Sequence, residues 1–287
     1  MKEARLYQSE EQGVRCLACA HKCLISKNQT GICGVRKNIE GKLYLLVYGK
    51  VVASQVDPIE KKPLKHFLPR TKTFSIGTIG CNFKCSFCQN YNISHFKDFY
   101  GDKILGENLS PRKIVTQAIK ARCPSISYTY NEPTVFIEFV KDIARLAKRK
   151  NLKNVFVTNG HLTLTSFNFI KNYIDAMNID LKSFSEDFYK TICHASLKPV
   201  LETIKRAHKA GIHVEITTLI IPEENDSIED LKKIPEFIAS VSPEIPWHVT
   251  RYFPHYKLQR QITPMETLQK AYELGKKYLK HVYMGNV

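Results

Sequence analysis

From residue 73 onward the chain alternates short apolar runs with amphipathic segments, and this alternation restricts the fold more than any other feature. The apolar runs are TFSIGTI, SISYTY, NVFVTN, AMNIDL, HVEITTLII and WHVTRYF, all of strand length and rich in β-branched or aromatic residues. Helix signals lie between them. Ser110 and Pro111 suit an N-cap and first helical residue before RKIVTQAIKAR. Thr263-Pro264-Met265-Glu266 has the spacing of a capping box opening ETLQKAYELGKKYLK. Ser227 to Asp230 marks another start, and Gly211 stops the helix of LETIKRAHKA. Six β-then-α units predict an α/β fold: a parallel sheet curled into a partial (β/α)6 TIM-like barrel, with helices outside. In such folds the chemistry gathers just beyond the C-terminal strand ends.

Residues 1–72 depart from this pattern. They carry four cysteines, the alternating segment KLYLLVYGKVVAS and the Pro-punctuated stretch DPIEKKPLKHFLPR. The expected organisation is a small N-terminal Cys-rich, metal-binding β head at 1–72 and a main core at 73–287.

Seven of the nine cysteines fall in two clusters. No apolar run approaches a membrane span, and MKEARLYQSEEQ has no signal-peptide pattern, so a soluble cytoplasmic protein is expected. In that reducing setting clustered cysteines ligate metals more often than they pair. Cys123 and Cys193 stand apart and read as small buried hydrophobes.

Cys81, Cys85 and Cys88 have the spacing C-x3-C-x2-C directly after the first core strand. Thiolates are soft ligands for iron–sulfur clusters or zinc. Three of them can hold three corners of a [4Fe–4S] cube and leave the fourth iron open, as a catalytic zinc keeps an open position. A zinc knuckle or a purely structural turn is the alternative. In the head, Cys16, Cys19, Cys23 and Cys33 make a full set of four ligands for structural zinc or for a second cluster, and His21 could replace one of them.

The loop CNFKCSFC, with Phe87 just before its last Cys, resembles the radical SAM superfamily. That resemblance implies that the open iron is chelated by the amino and carboxylate groups of S-adenosylmethionine. The reduced cluster then cleaves the S–C5′ bond, and the 5′-deoxyadenosyl radical abstracts hydrogen from substrate. Asn131-Glu132-Pro133 stands where the superfamily has Gly-Gly-Glu-Pro, so Asn131 replaces a glycine and Glu132 is expected near the methionine amino group; capping of the following helix is its other role. Thr158-Asn159-Gly160 resembles the TNG turn of glycyl-radical activating enzymes. Asp180-Leu181-Lys182 resembles their DLK, whose Asp and Lys approach the ribose and carboxylate. His255 matches a histidine that approaches SAM. Across nearly the whole chain, CNFKCSFCQNYNIS, SYTYNEPTVF, VTNGH, DLKSF, DPIEKKPLKHF and CGVRKN resemble the AmmeMemoRadiSam-system radical SAM enzymes, relatives of the pyruvate formate-lyase activating enzyme. Two positions depart from the activases: Val157 replaces an Asp that helps hold a monovalent cation, and Thr217 replaces an Arg. A Cys-containing tail beyond GNV is expected in the AmmeMemoRadiSam group, whereas this sequence ends at Val287.

Three functions follow. One is a radical SAM enzyme of oxidoreductase type acting on an unidentified peptide, protein or small metabolite, with ferredoxin or flavodoxin as electron donor. Another is an activase that makes a glycyl radical on a partner protein. The third is an RNA-binding or RNA-modifying protein, supported by the net charge of +16. The lysines are scattered along helix faces, and no aromatic-plus-basic motif of the single-strand readers accompanies them.

Overall fold

The computed structural model describes residues 1–287. One eight-stranded sheet dominates it. Its strands are β1 (Ala53–Pro58), β2 (Lys72–Gly77), β3 (Ser125–Tyr128), β4 (Lys153–Thr158), β5 (Ala176–Asp180), β6 (His213–Ile220), β7 (Trp247–Arg251) and β8 (Val282–Gly285). They lie side by side in chain order. Every pair from β2 to β8 is parallel, and only β1 runs antiparallel, with Ala53 opposite Gly77. Beside two single turns at Tyr91–Ser94 and Lys97–Tyr100, the helices are α1 (Pro111–Lys120), α2 (Ile137–Lys148), α3 (Leu164–Ile170), α4 (Glu186–Thr191), α5 (Lys198–Lys209), α6 (Ile228–Val241) and α7 (Met265–Lys276). Six β/α units followed by a last strand make the expected partial barrel. No ladder joins β8 to β1, so the barrel stays open. No helix is long and apolar enough to cross a membrane.

Two helix starts behave as the sequence predicts: Ser110 accepts from Lys113 N–H and Ser227 from Asp230 N–H. Gly211, at φ +73°, ends α5. The capping box at Thr263 does not form. Its hydroxyl instead donates to Ile220 O (2.6 Å) and accepts from Tyr252 N–H (2.8 Å), stitching β6 to the segment after β7. Strand β8 went unpredicted because its four residues, VYMG, have no period of their own.

The head contains two three-stranded antiparallel sheets. Its boundary is less simple than a cut at residue 72, because β1 extends the main sheet. Between β1 and β2 the chain passes under the barrel as a plug. Ile59 and Leu64 are fully buried against Val155 and Ala176. The side chain of Asn178 donates to Pro63 O at 2.8 Å, and the Glu215 carboxylate accepts from Lys65 N–H (2.9 Å) and His66 N–H (2.8 Å). A buried ion pair, Arg36 with Glu138, fastens the head to α2. Burial alone would raise the Glu138 carboxyl, but Arg36 holds it below the usual range.

Candidate active site at the C-terminal strand ends

A cavity of about 530 Å³ opens beyond the parallel strands. That is within the range of roughly 300–1,000 Å³ typical of ligand sites. The loop after β2 lines it with Cys81, Cys85, Cys88 and Phe87. Asn131 and Glu132 come from the end of β3, Thr158 and Asn159 from β4, and Asp180 and Lys182 from β5. Ten residues singled out in the core sequence therefore share one wall-to-wall space. Tertiary structure unites them because each follows a parallel strand of the same sheet.

His255 is the exception. It is exposed on the loop after β7, with Nδ1 3.0 Å from Phe253 O, and it does not line the cavity. The next residue explains the loop's course. Tyr256 stacks on Tyr91 and His95 at 5.0 and 4.8 Å between ring centroids, and its hydroxyl donates to Asp98 at 2.6 Å. That anchoring holds the loop against the outer rim.

The cysteine loop is tied at several points. Lys84 N–H donates to Cys193 O (2.9 Å) and Ser86 N–H to Ile192 O (3.1 Å), while Ser86 O accepts from Lys257 and Leu258 N–H, both at 2.9 Å. Cys123 and Cys193 are both buried, as expected. Asn131 braces the loop's approach: its amide donates to Gly80 O at 2.7 Å and accepts from Thr78 N–H at 3.1 Å. A glycine at 131 would supply none of these bonds.

Glu132 is 2% exposed, and its oxygens serve protein donors. Oε1 accepts from Thr134 N–H and Oγ1 and from Thr158 Oγ1 (2.8 Å); Oε2 accepts from Asn159 N–H at 2.7 Å. Burial raises its carboxyl despite these donors. Glu132 thus caps the turn Pro133–Phe136 and clamps the TNG turn, and Oε2 keeps one lone pair for a ligand. Asp180 and Lys182 pair at 2.9 Å. Burial opposes the Lys182 charge, but Asp180 together with the sulfurs of Cys85 and Cys193 outweighs it and raises the ammonium well above its ordinary value. The Lys182 ammonium also lies 5.6 Å from the Phe87 ring centroid.

The residues fit an iron–sulfur group by the chemistry of their donors. Burial pushes Cys88 up to about 11 and Cys81 well above the usual value, and a hydrogen bond with Cys193 together with burial does the same to Cys85, so a bound cation is needed to hold them as thiolates. N–H groups already face one sulfur: Phe83 N lies 3.4 Å and Asn159 Nδ2 4.0 Å from Cys81 Sγ. Such donors stabilise thiolate charge. Neither in this loop nor in the head are three or more Cys, His, Asp or Glu side chains gathered closely enough to form a ready metal shell.

Cys16, Cys19, Cys23 and Cys33 line a second, small cavity of about 10 Å³ within the head. Asn82, next to Cys81, lines it too, and its buried Nδ2 has no hydrogen-bond partner. The orphaned donor suits a neighbouring thiolate. His21 does not join these four; its Nε2 lies 2.8 Å from Asn82 O.

Sequence reasoning missed the cavity floor. Asp57, Lys61 and Lys62 line it with Tyr130. The signal was DPIEKKPLKHF, which pattern alone assigned to the head.

Comparison with known proteins agrees with this layout. Residues 75–237 match the model of the radical SAM superfamily. An uncharacterised protein of Methanocaldococcus jannaschii is 45% identical across 100% of this chain and 86% of its own length. The pyruvate formate-lyase-activating enzyme of Clostridium pasteurianum is 24% identical over 56% of this chain and 67% of its own. Among solved structures, SuiB of Streptococcus suis bound to S-adenosylmethionine superposes with a TM-score of 0.57 at 15% identity, covering 73% of this chain and 49% of SuiB, which is a likeness of fold alone. With its cysteine loop and strand ends inside the matched region, the chain belongs to the radical SAM superfamily of enzymes.

Proposed function

We propose that Cys81, Cys85 and Cys88 hold a [4Fe–4S] cluster with one open iron and that the adjoining cavity binds S-adenosylmethionine. The observation that carries this is the shared cavity: the three cysteines open onto the same space as Glu132, Asp180 and Lys182. When bound, the reduced cluster and S-adenosylmethionine supply a 5′-deoxyadenosyl radical that takes hydrogen from a substrate. Lys182 offers ammonium donors to the methionine carboxylate, and Asp180 an acceptor for the ribose hydroxyls. Glu132 positions Thr158 and Asn159 and turns its remaining lone pair to the methionine amino group. Phe87 lies between Lys182 and Phe188, its ring 6.1 Å from that of Phe188, and so limits water at the thiols.

The extent of the motif match supports the AmmeMemoRadiSam branch. The four cysteines around the head's small cavity are a complete ligand set for one tetrahedral ion, so we assign structural zinc there in preference to a second cluster. An activase function has one specific support: relatives named as glycyl-radical activating enzymes, including one from M. jannaschii at 28% identity over 71% of this chain. In either case a low-potential ferredoxin or flavodoxin is the expected reductant.

The test is anaerobic reconstitution with counts of iron, sulfide and zinc, followed by dithionite and S-adenosylmethionine. About four irons, one zinc and 5′-deoxyadenosine are expected. Cys85→Ala should lose iron and nucleoside formation; native-rate release by that variant would overturn the assignment. A stable complex with a glycyl-radical enzyme would select the activase.

A further inference from the structure

The cavity has two ends of different character. The cysteine end is described above. At the other end, Asp57 on β1 and Lys62 on the plug form an ion pair at 2.8 Å, with both side chains nearly sealed from solvent. Tyr130 completes the group: its hydroxyl donates to Asp57 at 2.7 Å, and the Lys62 ammonium lies 4.6 Å from its ring centroid. Tyr130 holds a left-handed backbone, φ 71°, which is costly for an aromatic residue. Such strain persists where surrounding structure enforces a side-chain position.

Charge at this end is unbalanced. Asp57 already accepts from Tyr130 and Lys62, and Lys61 approaches it at 3.9 Å. Two ammonium groups therefore share one carboxylate, Lys62 buried beside it and Lys61 with its side chain 69% exposed. Elsewhere in the cavity Lys182 is neutralised by Asp180. An ammonium has three donors, and Lys62 gives one to Asp57, so part of its capacity faces the cavity unspent. The plug backbone that carries Lys62 does not move freely, because Asn178 and Glu215 pin it on either side of Leu64. The buried Lys62 ammonium has donors to spare, and the exposed Lys61 adds positive charge beside it; together they suit an anion.

We propose that Lys62, with Lys61, Asp57 and Tyr130, is the substrate anchor, and that the substrate is a small molecule carrying a carboxylate or phosphate that docks on Lys62. This rests on the radical SAM assignment, because the anchor matters only if the opposite end of the cavity generates the radical. Docking the anion at the floor sets which hydrogen faces the cysteine end. Burial lowers the Lys62 ammonium despite Asp57, and an arriving anion would restore it.

The experiment uses anaerobically reconstituted protein loaded with S-adenosylmethionine, into which sodium succinate and, separately, inorganic phosphate are titrated calorimetrically. Binding of at least one anion to the wild type is expected; succinate alone marks a carboxylate substrate and phosphate alone a phosphorylated one. Lys62→Met should weaken that binding about tenfold or more, and Lys62→Arg should retain it within about threefold. Asp57→Asn should tighten it by removing the competing carboxylate. Because Lys62→Met leaves the buried Asp57 without its close ammonium partner, the double variant Asp57→Asn/Lys62→Met serves as control. It removes both charges and should keep wild-type iron content while losing the anion. No binding of either anion to iron-loaded wild type, or wild-type affinity in the double variant, would overturn the anchor. Failure of the wild type to release 5′-deoxyadenosine is a separate readout; it would overturn the radical assignment and the anchor's role with it.

Discussion

The carboxylate of Glu132 accepts a hydrogen bond from the backbone N–H of Asn159 at 2.7 Å, tying the turn after β3 to the turn after β4. Both turns line the cavity beside the cysteine loop. Removing the carboxylate strands two buried N–H groups and two threonine hydroxyls. Glu132→Ala should therefore lose roughly 2–4 kcal/mol in chemical denaturation and should also weaken S-adenosylmethionine binding. Unchanged stability would show that the clamp carries no weight.

Asn131 makes three side-chain hydrogen bonds to Thr78 and Gly80 that a glycine cannot make. Asn131→Gly should cost about 1–3 kcal/mol and lower the iron retained after gel filtration, because the approach to Cys81 loses its brace. Wild-type iron retention would refute that bracing role.

Gly80 sits at φ +90°, and a Cβ there would meet Val35 Cγ1 at 2.6 Å and Cys33 O at 2.7 Å. Gly80→Ala should destabilise the protein by roughly 1–3 kcal/mol by forcing the head away from the cysteine loop. Urea denaturation measures this directly, and a neutral substitution would contradict the close packing.

Glu215 is fully buried on β6 and accepts from His213, His248 and two backbone N–H groups of the plug. Burial alone would raise its carboxyl, yet these donors hold it at about 2, below an ordinary 4.5. The folded value is depressed, so its contribution is complete above about pH 4.5 and is lost as the pH falls toward 2. Thermal stability should fall across that window. In Glu215→Ala, which should lose roughly 3–5 kcal/mol at neutral pH, the fall should be shallower. An identical acid profile in both proteins would remove Glu215 from the account.

His255 lies outside the cavity, so His255→Ala should leave S-adenosylmethionine affinity within about twofold in equilibrium dialysis. A tenfold loss would mean that the loop after β7 folds inward on binding, against the Tyr256 stacking that now holds it out.

Much of this protein was legible in one dimension. The parallel sheet followed from apolar runs separated by capped helices, since each strand and helix signals itself within about a dozen residues. The C-x3-C-x2-C loop and the NEP, TNG and DLK turns could be placed on strand ends, because in a parallel sheet every such turn emerges on one side. What Glu132 does with its oxygens, where His255 points and which strand β1 joins were decided by tertiary contacts. Hydrogen-bond partners distant in sequence leave no periodic trace. Above all, the stretch DPIEKKPLKHF carries no strand or helix period, and only packing against Val155, Ala176 and Glu215 turns it into the floor beneath the cysteines.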